Sequence, residues 1–495
     1  MVNDDDYRPP RRRRPAWLLA LLALVLVAGA AVGVPYFLDR ADVCGEGVRK
    51  EGPKDECVGV TDGRYVFDPA LAGISGKIAK ANKDVKDSGK PWVSVAYLQP
   101  LTFGPDDKGK DSVREELEGA YLAQRALNSH REGGEGDVPQ IRLLLASPGA
   151  GAAQWQPLVK RILDMRGGDD RVVAVAGLGQ SLDTTLAAVG ALRAARMPMI
   201  GSTVTADSLS DPAVAGFFRI VPPNAQEASA AAKYLKGGQR PGQRVQIIKD
   251  RNASNIYARS LYDGFVKAAD RLGLARDSRE FPFESGTDGV ENAMASIADK
   301  VCDQQVKPQA VFFAARGREL RTFIEAAQAG GRVCPVTLLT GDDAIGMFYD
   351  IPLDTERAAR DLFDRRWKAS GVTVLNTAMA HPAMIPLTSS FVADYRKAFG
   401  GEQELQNGLA MLGHDALLTA GSAIRDAAGD GKSRVTPESV INMLLQLSDT
   451  DAVAGLTGTI RFGQDSGDPT DKTLALVQLT SDPKQTYHHV RVITP

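Results

Sequence analysis

At 495 residues the chain is long enough to bury more than one core, so two packed bodies are the default expectation. Its 59 Lys and Arg against 61 Asp and Glu leave a formal charge of -2, which excludes the broad basic surface that nucleic acid requires. Aromatic residues make up only 6% while glycine and alanine abound, a composition suited to a helix-rich α/β protein rather than an all-β one.

Arg8 and Arg11 to Arg14 precede an almost uninterrupted apolar run over 16–38, long enough to cross a bilayer as a helix. By the positive-inside rule, residues 1–15 stay cytoplasmic and everything after Leu38 faces outward. A cleavable signal peptide competes, because Ala28-Gly29-Ala30 resembles a cleavage site, but the run stays apolar for eight more residues, which favours an uncleaved anchor. A lipid anchor is not expected, since Cys44 follows Ala-Asp-Val. Residues 39–90 are charged, glycine-bearing and weakly periodic, and read as a stalk with one disulfide-closed knot.

Folding proper begins with a strand, WVSVAYL, and its loop QPLTF, then a helix over 113–128 in which Gly119 and Ala120 are small enough for close packing on a sheet. A strand over 141–147 and a helix over 154–165 follow. The run 172–176 is β-branched and apolar, the pattern of a strand buried on both faces, and Gly177 and Gly179 break it. Ser181, with Asp183 and Thr184 behind it, opens a helix to about residue 196; Pro198 ends it and the next strand begins at Met199. Ligands of open parallel sheets sit at the carboxyl ends of strands, beside helix N-termini that favour anions, so Ser181, Thr203 and Thr205 fall where a small anionic group would be held. The rival reading of GLGQSL as a dinucleotide fingerprint lacks its third glycine, for Leu182 stands there, and no acidic residue ends the following strand.

The alternation continues through FFRIVPP, a helix over 226–235, a strand over 244–250, a helix over 256–272, the extended REFPFESG, a helix over 289–302, a strand over 309–315, a helix over 319–329 and a strand over 336–341. Such β-α-β-α order predicts two doubly wound parallel sheets. Helical patterns around 391–399 and 408–427 then return toward the first body, and GLTGTIRFGQDSGDP with TLALVQL closes the chain as strands.

Four cysteines in an exported chain are most simply two disulfides, and local pairing of Cys44 with Cys57 and of Cys302 with Cys334 is the cheapest of three formal connectivities. A structural zinc site fits poorly, since no CxxC occurs and His130, His381, His414, His488 and His489 are not spaced as ligands.

In their common order, VSVAYLQPLTF, ELEGAYLAQRALN, AGLGQSLDTTLA, MIGSTVTADSLSD, FFRIVPPNAQEASAAAKYL, IIKDRNASNIYARSLYDGF, AVFFAARGREL, LLTGDDA, GHDALLTAGSAI and GLTGTIRFGQDSGDP resemble the type I periplasmic-binding-protein family, in its leucine/isoleucine/valine-binding branch. The likeness covers residues 91–495 and implies two lobes joined by three crossovers, closing like a hinge on a ligand. It implies a first lobe from 91–222 and 346–450, and a second from 223–345 with closing strands in 451–495. It also implies that Ser181, Thr203 and Thr205 hold a ligand carboxylate and that Asp343, or Asp342 one residue earlier, meets a ligand ammonium. Two departures bear on the ligand: Ser254 stands where the family places a covering aromatic, and Arg316 where an aromatic or small residue is common. An arginine in a cleft implies a further anionic or strongly polar ligand group, unless it faces solvent or pairs with Glu319, and counts against leucine-like ligands.

Catalysis is not expected. Asp342-Asp343 and His414-Asp415 lack the further ligands a metal centre needs, and no nucleophile elbow or phosphate loop occurs. The expected role is a membrane-tethered, cofactor-free binding protein that delivers an amino acid or relative to an ABC permease; the alternative is a ligand sensor or cell-surface interaction module with the same fold.

Overall fold

The computed structural model describes residues 42–495 apart from 105–106, 130–137, 211–215, 349–355, 464–465 and the single positions 387, 402, 430, 432 and 449. The expected anchor at 16–38 lies outside the described residues, among which no helix is long and apolar enough to cross a membrane.

The first surprise is the segment expected to be a stalk. Strands β1 (Val43–Gly45), β2 (Val48–Glu51) and β3 (Glu56–Thr61) form an antiparallel meander, with Cys44 and Cys57 joined in a disulfide. Helix α1 (Ala72–Asp87) follows, burying Ile74, Ile78 and Val85. The segment is therefore part of the body: β3 adds antiparallel to the edge of the first sheet, Gly59 opposite Ser147. Its alternating valines could not signal this, because the burying partner lies some 80 residues away in sequence.

The first sheet is built from β4 (Trp92–Leu98), β5 (Gln140–Ser147), β6 (Val172–Gly177), β7 (Met199–Gly201) and β8 (Phe217–Arg219). Between them run α2 (Lys110–Asn128), α3 (Trp155–Asp164) and α4 (Asp183–Ala194). Strand order is β1-β2-β3-β5-β4-β6-β7-β8. Its parallel strands β5 and β6 are buried at every position, as a sheet covered on both faces requires. Where β3 no longer reaches, two asparagines close the β5 edge. Asn82 bonds the N–H and C=O of Leu143 at 3.0 and 2.7 Å, and Asn128 does the same for Ile141 at 2.8 Å each.

The chain crosses at 220–223 into α5 (Asn224–Gly238), β9 (Val245–Asp250), α6 (Ile256–Leu272), β10 (Arg276–Phe283), α7 (Val290–Cys302), β11 (Ala310–Ala314), α8 (Gly317–Ala327) and β12 (Thr337–Thr340). The second disulfide, Cys302 to Cys334, ties the end of α7 to the approach to β12. Helix α9 (Glu356–Ser370) and β13 (Thr373–Ala378), which the sequence reading passed over, keep the chain in this lobe. The expected return at 346 thus comes later, because β13 lies parallel to β12 and completes the sheet. The second crossing leads to α10 (Phe391–Phe399), α11 (Leu409–Ala428) and α12 (Pro437–Gln446) on the first lobe.

The hairpin β14 (Val453–Gly455) and β15 (Gly458–Ile460) stays there too, contrary to the expected split at 451. Asp415 of α11 accepts the N–H groups of Leu456 and Thr457 at 2.9 and 2.8 Å. Only β16 (Leu474–Leu479) and β17 (Tyr487–Ile493) return to the second sheet, β16 antiparallel to β13 and β17 antiparallel to β16, giving β10-β9-β11-β12-β13-β16-β17. Both lobes repeat one parallel order: the first strand after entry (β4, β9) sits between the next two in sequence. That is the topological switch point where such sheets bind ligands.

Gly119 of α2 packs not on the sheet but on α11. A Cβ there would lie 1.7 Å from the Ala410 carbonyl oxygen, and one on Gly413 would lie 1.9 Å from that of Glu116. Gly413→Ala should therefore destabilise the protein by about 1–3 kcal/mol through forced helix separation. Gly190→Ala, at a helical position with open space around it, should instead gain up to about 1 kcal/mol. Chemical denaturation of both variants checks the contrast.

Candidate functional site

Loops at the carboxyl ends of β4, β6, β7, β11 and β12, with the first turn of α6, enclose a cavity of about 80 Å³ between the lobes. Against the roughly 10–15 Å³ that a single water needs, this is room for a small metabolite.

The first-lobe wall is organised around Glu116, a buried carboxylate on α2. One oxygen accepts the Tyr97 hydroxyl at 2.9 Å and the Ser202 hydroxyl; the other accepts Lys108 Nζ at 3.0 Å. Lys108 also donates to the Thr203 hydroxyl, which in turn donates to the Gly179 carbonyl at 2.9 Å. Burial and the neighbouring Glu116 push the Tyr97 phenol well above its ordinary range. Asp107 joins two loops by accepting the Gly104 N–H at 2.8 Å and the Gly151 N–H at 2.9 Å. Ser181 Oγ accepts the N–H groups of Thr205 and Ala206 at 3.0 and 3.1 Å, which leaves its own O–H to donate elsewhere.

The second-lobe wall carries a surplus of acid. Asp343 Oδ2 accepts the Gly317 N–H at 3.0 Å, in the first turn of α8, and Oδ1 lies 3.5 Å from Arg316 Nη1. Arg316 reaches across the cleft to donate to the Ser181 carbonyl at 2.8 Å and lies 5.1 Å from the centre of the Tyr257 ring. Glu227 Oε1 accepts the Asp342 N–H at 2.7 Å and the Thr377 hydroxyl at 2.5 Å, while its Oε2 makes no hydrogen bond among the described residues. Burial, then Asp342, hold Glu227 well above the carboxylate range. Asp342 Oδ1 is likewise buried without a hydrogen bond, and burial with the neighbouring Asp343 pushes this acid up to about 7. Lys108 has Glu116, Arg316 has Asp343 and Arg318 has Glu319 at 3.6 Å. Asp342 has no ion-pair partner among the described residues.

Of the residues expected from sequence, Ser181, Thr203, Arg316, Asp342 and Asp343 meet at this cavity. Thr205 stands behind Ser181, fully buried and off the wall. Ser254 is exposed and does not line the cavity. Asp250 accepts the N–H groups of Asn252 and Ser285 at 2.9 Å each, folding the loop so that Tyr257, three residues on, supplies the aromatic wall. Arg316 neither faces solvent nor pairs with Glu319. Lys108, Glu116 and Glu227 were missed, and a cation in the loop after the first body strand was the available signal for Lys108. His414 and Asp415 serve the hairpin contact instead, and among the described residues no group of three or more metal-ligating side chains occurs. An apolar floor of Ile345, Ala378, Met379, Ala380, Leu409 and Leu412 completes the cavity.

A family model described as periplasmic binding protein matches residues 95–484. Among solved structures, the chain is similar to a leucine-binding protein from Thermotoga maritima, at 19% identity, with 81% of this chain and 99% of that one covered and a TM-score of 0.59. It is similar to an ABC transporter substrate-binding protein from Desulfitobacterium hafniense in complex with leucine, at 19% identity, 81% and 100% coverage and a TM-score of 0.57. A branched-chain amino acid ABC transporter from Thermus thermophilus with bound valine aligns at 13% identity, 82% and 97% coverage and a TM-score of 0.58. No curated protein matches the chain by sequence. At these identities the structural likeness is one of fold.

The raised acids give the unliganded cleft a definite pH response. A carboxyl whose folded value lies above its unfolded one contributes stability that is complete below the unfolded value, near 4, and lost as pH rises through the folded one, here about 7. Asp342→Asn should therefore match the parent near pH 4 and exceed it by roughly 1–3 kcal/mol at pH 8. Unfolding of parent and variant across that range measures the difference, and parallel curves would place the charge of Asp342 in contact with solvent.

Proposed function

This chain belongs to the periplasmic binding protein family, and we propose that it captures a free amino acid with an apolar side chain in the interlobe cavity for an ABC importer. The observation that carries the reading is Asp342, a half-buried acid on the cavity wall whose Oδ1 is buried without a hydrogen bond and which has no ion-pair partner among the described residues, facing loops that offer a hydroxyl donor and Lys108. A zwitterion answers both walls. Its ammonium replaces the missing partner of Asp342, its carboxylate takes the Ser181 O–H beside Thr203 and Lys108, and its side chain meets the apolar floor. Asp342 rather than Asp343 is then the ammonium acid, since Asp343 is engaged by Gly317 and Arg316. Thr205 supports the Ser181 loop and Ser254 plays no part. Arg316, spent on contacts within the protein, is a latch between the lobes and not a receptor for a second ligand anion. The apolar floor restores the leucine-like ligands that this arginine had counted against. The names of the similar structures, several with leucine, isoleucine or valine bound, support the same ligand class.

The body is extracytoplasmic by family, and two disulfides among the described residues suit that compartment. The apolar run at 16–38 would tether it to the membrane that carries the permease. Isothermal titration with leucine, isoleucine, valine and alanine tests the site. Ser181→Ala and Asp342→Asn should each lose about ten- to a hundredfold in affinity, the worth of a hydrogen bond to a charged group at roughly 1.5–3 kcal/mol. Because an arriving ammonium stabilises the Asp342 carboxylate, binding near pH 7 should also release a fraction of a proton, seen as a dependence of the heat on buffer ionisation enthalpy. Folded variants that bind like the parent would sink the assignment.

A further inference from the structure

Arg142 stands in the middle of β5, 1% exposed, in a strand buried at every position. A buried guanidinium is tolerated when its donors are satisfied, and here they are not. Nη1 reaches Asp170 only at 3.4 Å, and Nε makes no hydrogen bond among the described residues. The group lies 4.7 Å from the centre of the Trp92 ring, which Arg171 also approaches at 4.7 Å.

This side chain borders a cavity of about 210 Å³ between the β1–β3 meander and the first lobe, well apart from the interlobe cleft. Besides Arg64, two further cations border it: Arg161 in the last turn of α3 and Lys86 in the last turn of α1. Neither makes an ion pair or a side-chain hydrogen bond among the described residues. The acids at the same cavity are committed. Both oxygens of Asp62 take Arg64 Nε, at 3.0 and 3.1 Å, and Glu46 pairs with Arg64 Nη2 at 2.9 Å. Among the described residues, Asp170, weakly held, and Asp62, already taken by Arg64, are the acids that bear on three cations from three different elements. The meander and α1, which wall one side of the space, lie ahead of the family match, which begins at residue 95.

We propose that this cavity is a second binding site, for a phosphate-ester anion. A guanidinium fork presents paired donors to such a group and an ammonium adds a mobile point charge. The several oxygens of a tetrahedral ester can be shared among donors arriving from a strand and two helix ends, which a planar carboxylate does less well. The volume leaves space for an organic remainder beyond the phosphate. Two sources carry this chemistry, a soluble phosphate ester and the headgroup of an anionic lipid.

The test uses the full chain in nonionic detergent micelles, titrated calorimetrically with glycerol phosphate and, separately, with micelles doped with phosphatidylglycerol or phosphatidylcholine. Saturable binding is expected, weakened at least tenfold in the Lys86→Ala, Arg161→Ala double variant, whose altered side chains are exposed and outside the sheet. Arg316→Ala, in the interlobe cleft, should leave it unchanged. Binding of free glycerol phosphate identifies a soluble ester; binding of phosphatidylglycerol alone identifies a lipid headgroup. The proposal is overturned if neither probe saturates, if the double variant binds like the parent, or if Arg316→Ala abolishes binding, which would put the anion in the cleft and leave Arg142 a structural residue.

Discussion

The contact between α2 and α11 is the constraint on which the rest of the structure depends. Backbone meets backbone there because Gly119 and Gly413 have no side chains to hold the helices apart, and each lies against the carbonyl of the other helix. α2 carries Ser112 and Glu116, and so the anchor for Lys108; α11 opens with Leu409 and Leu412, part of the cavity floor. The chain that brings α11 back has just left the second lobe. A loose fit at the glycines would therefore displace a wall of the site and the second crossover together.

On the proposed reading, closure and recognition use different charged groups in the cleft. Arg316 and Asp343 belong to the protein: one spans the lobes to the Ser181 carbonyl, the other is held by an amide of α8. Asp342 and Glu227 are left crowded and poorly solvated, which pushes both toward the neutral acid. A cleft of this kind disfavours an anion on its second wall and rewards a cation that arrives with its own carboxylate. On the proposed reading, discrimination against uncharged solutes comes from an acid that lacks an ion-pair partner among the described residues rather than from shape alone.

The meander at the N-terminus solves a different problem. An exposed β5 would offer unpaired backbone groups to any passing strand, and β3, Asn82 and Asn128 between them occupy that edge. A disulfide holds the short meander closed. The same addition walls the cavity beside Arg142, so that protection of an edge and a concentration of cations have one structural origin.

How much of this was legible beforehand divides along a physical line. The cleft positions of Arg316 and the Asp342-Asp343 pair came from the family resemblance, whereas the alternation of strands and helices, the two lobes, and the loops carrying Ser181 and Thr203 followed from local signals: apolar runs, glycine turns and proline stops act within a few residues. The fate of 39–90 did not, because an edge strand is recruited by a partner distant in sequence. Nor did the lobe to which 346–378 belongs, since a strand reads alike whichever sheet it joins. Ser254 was misplaced and Tyr257 overlooked because Asp250 folds their loop through hydrogen bonds to Ser285, 35 residues away. Sequence by itself placed Ser181 and Thr203 in loops at the carboxyl ends of their strands, where both reach the cleft. Only the tertiary structure decided which side chains are already paired, because pairing depends on distances between loops and helices separated in sequence, and it left Asp342 without an ion-pair partner among the described residues.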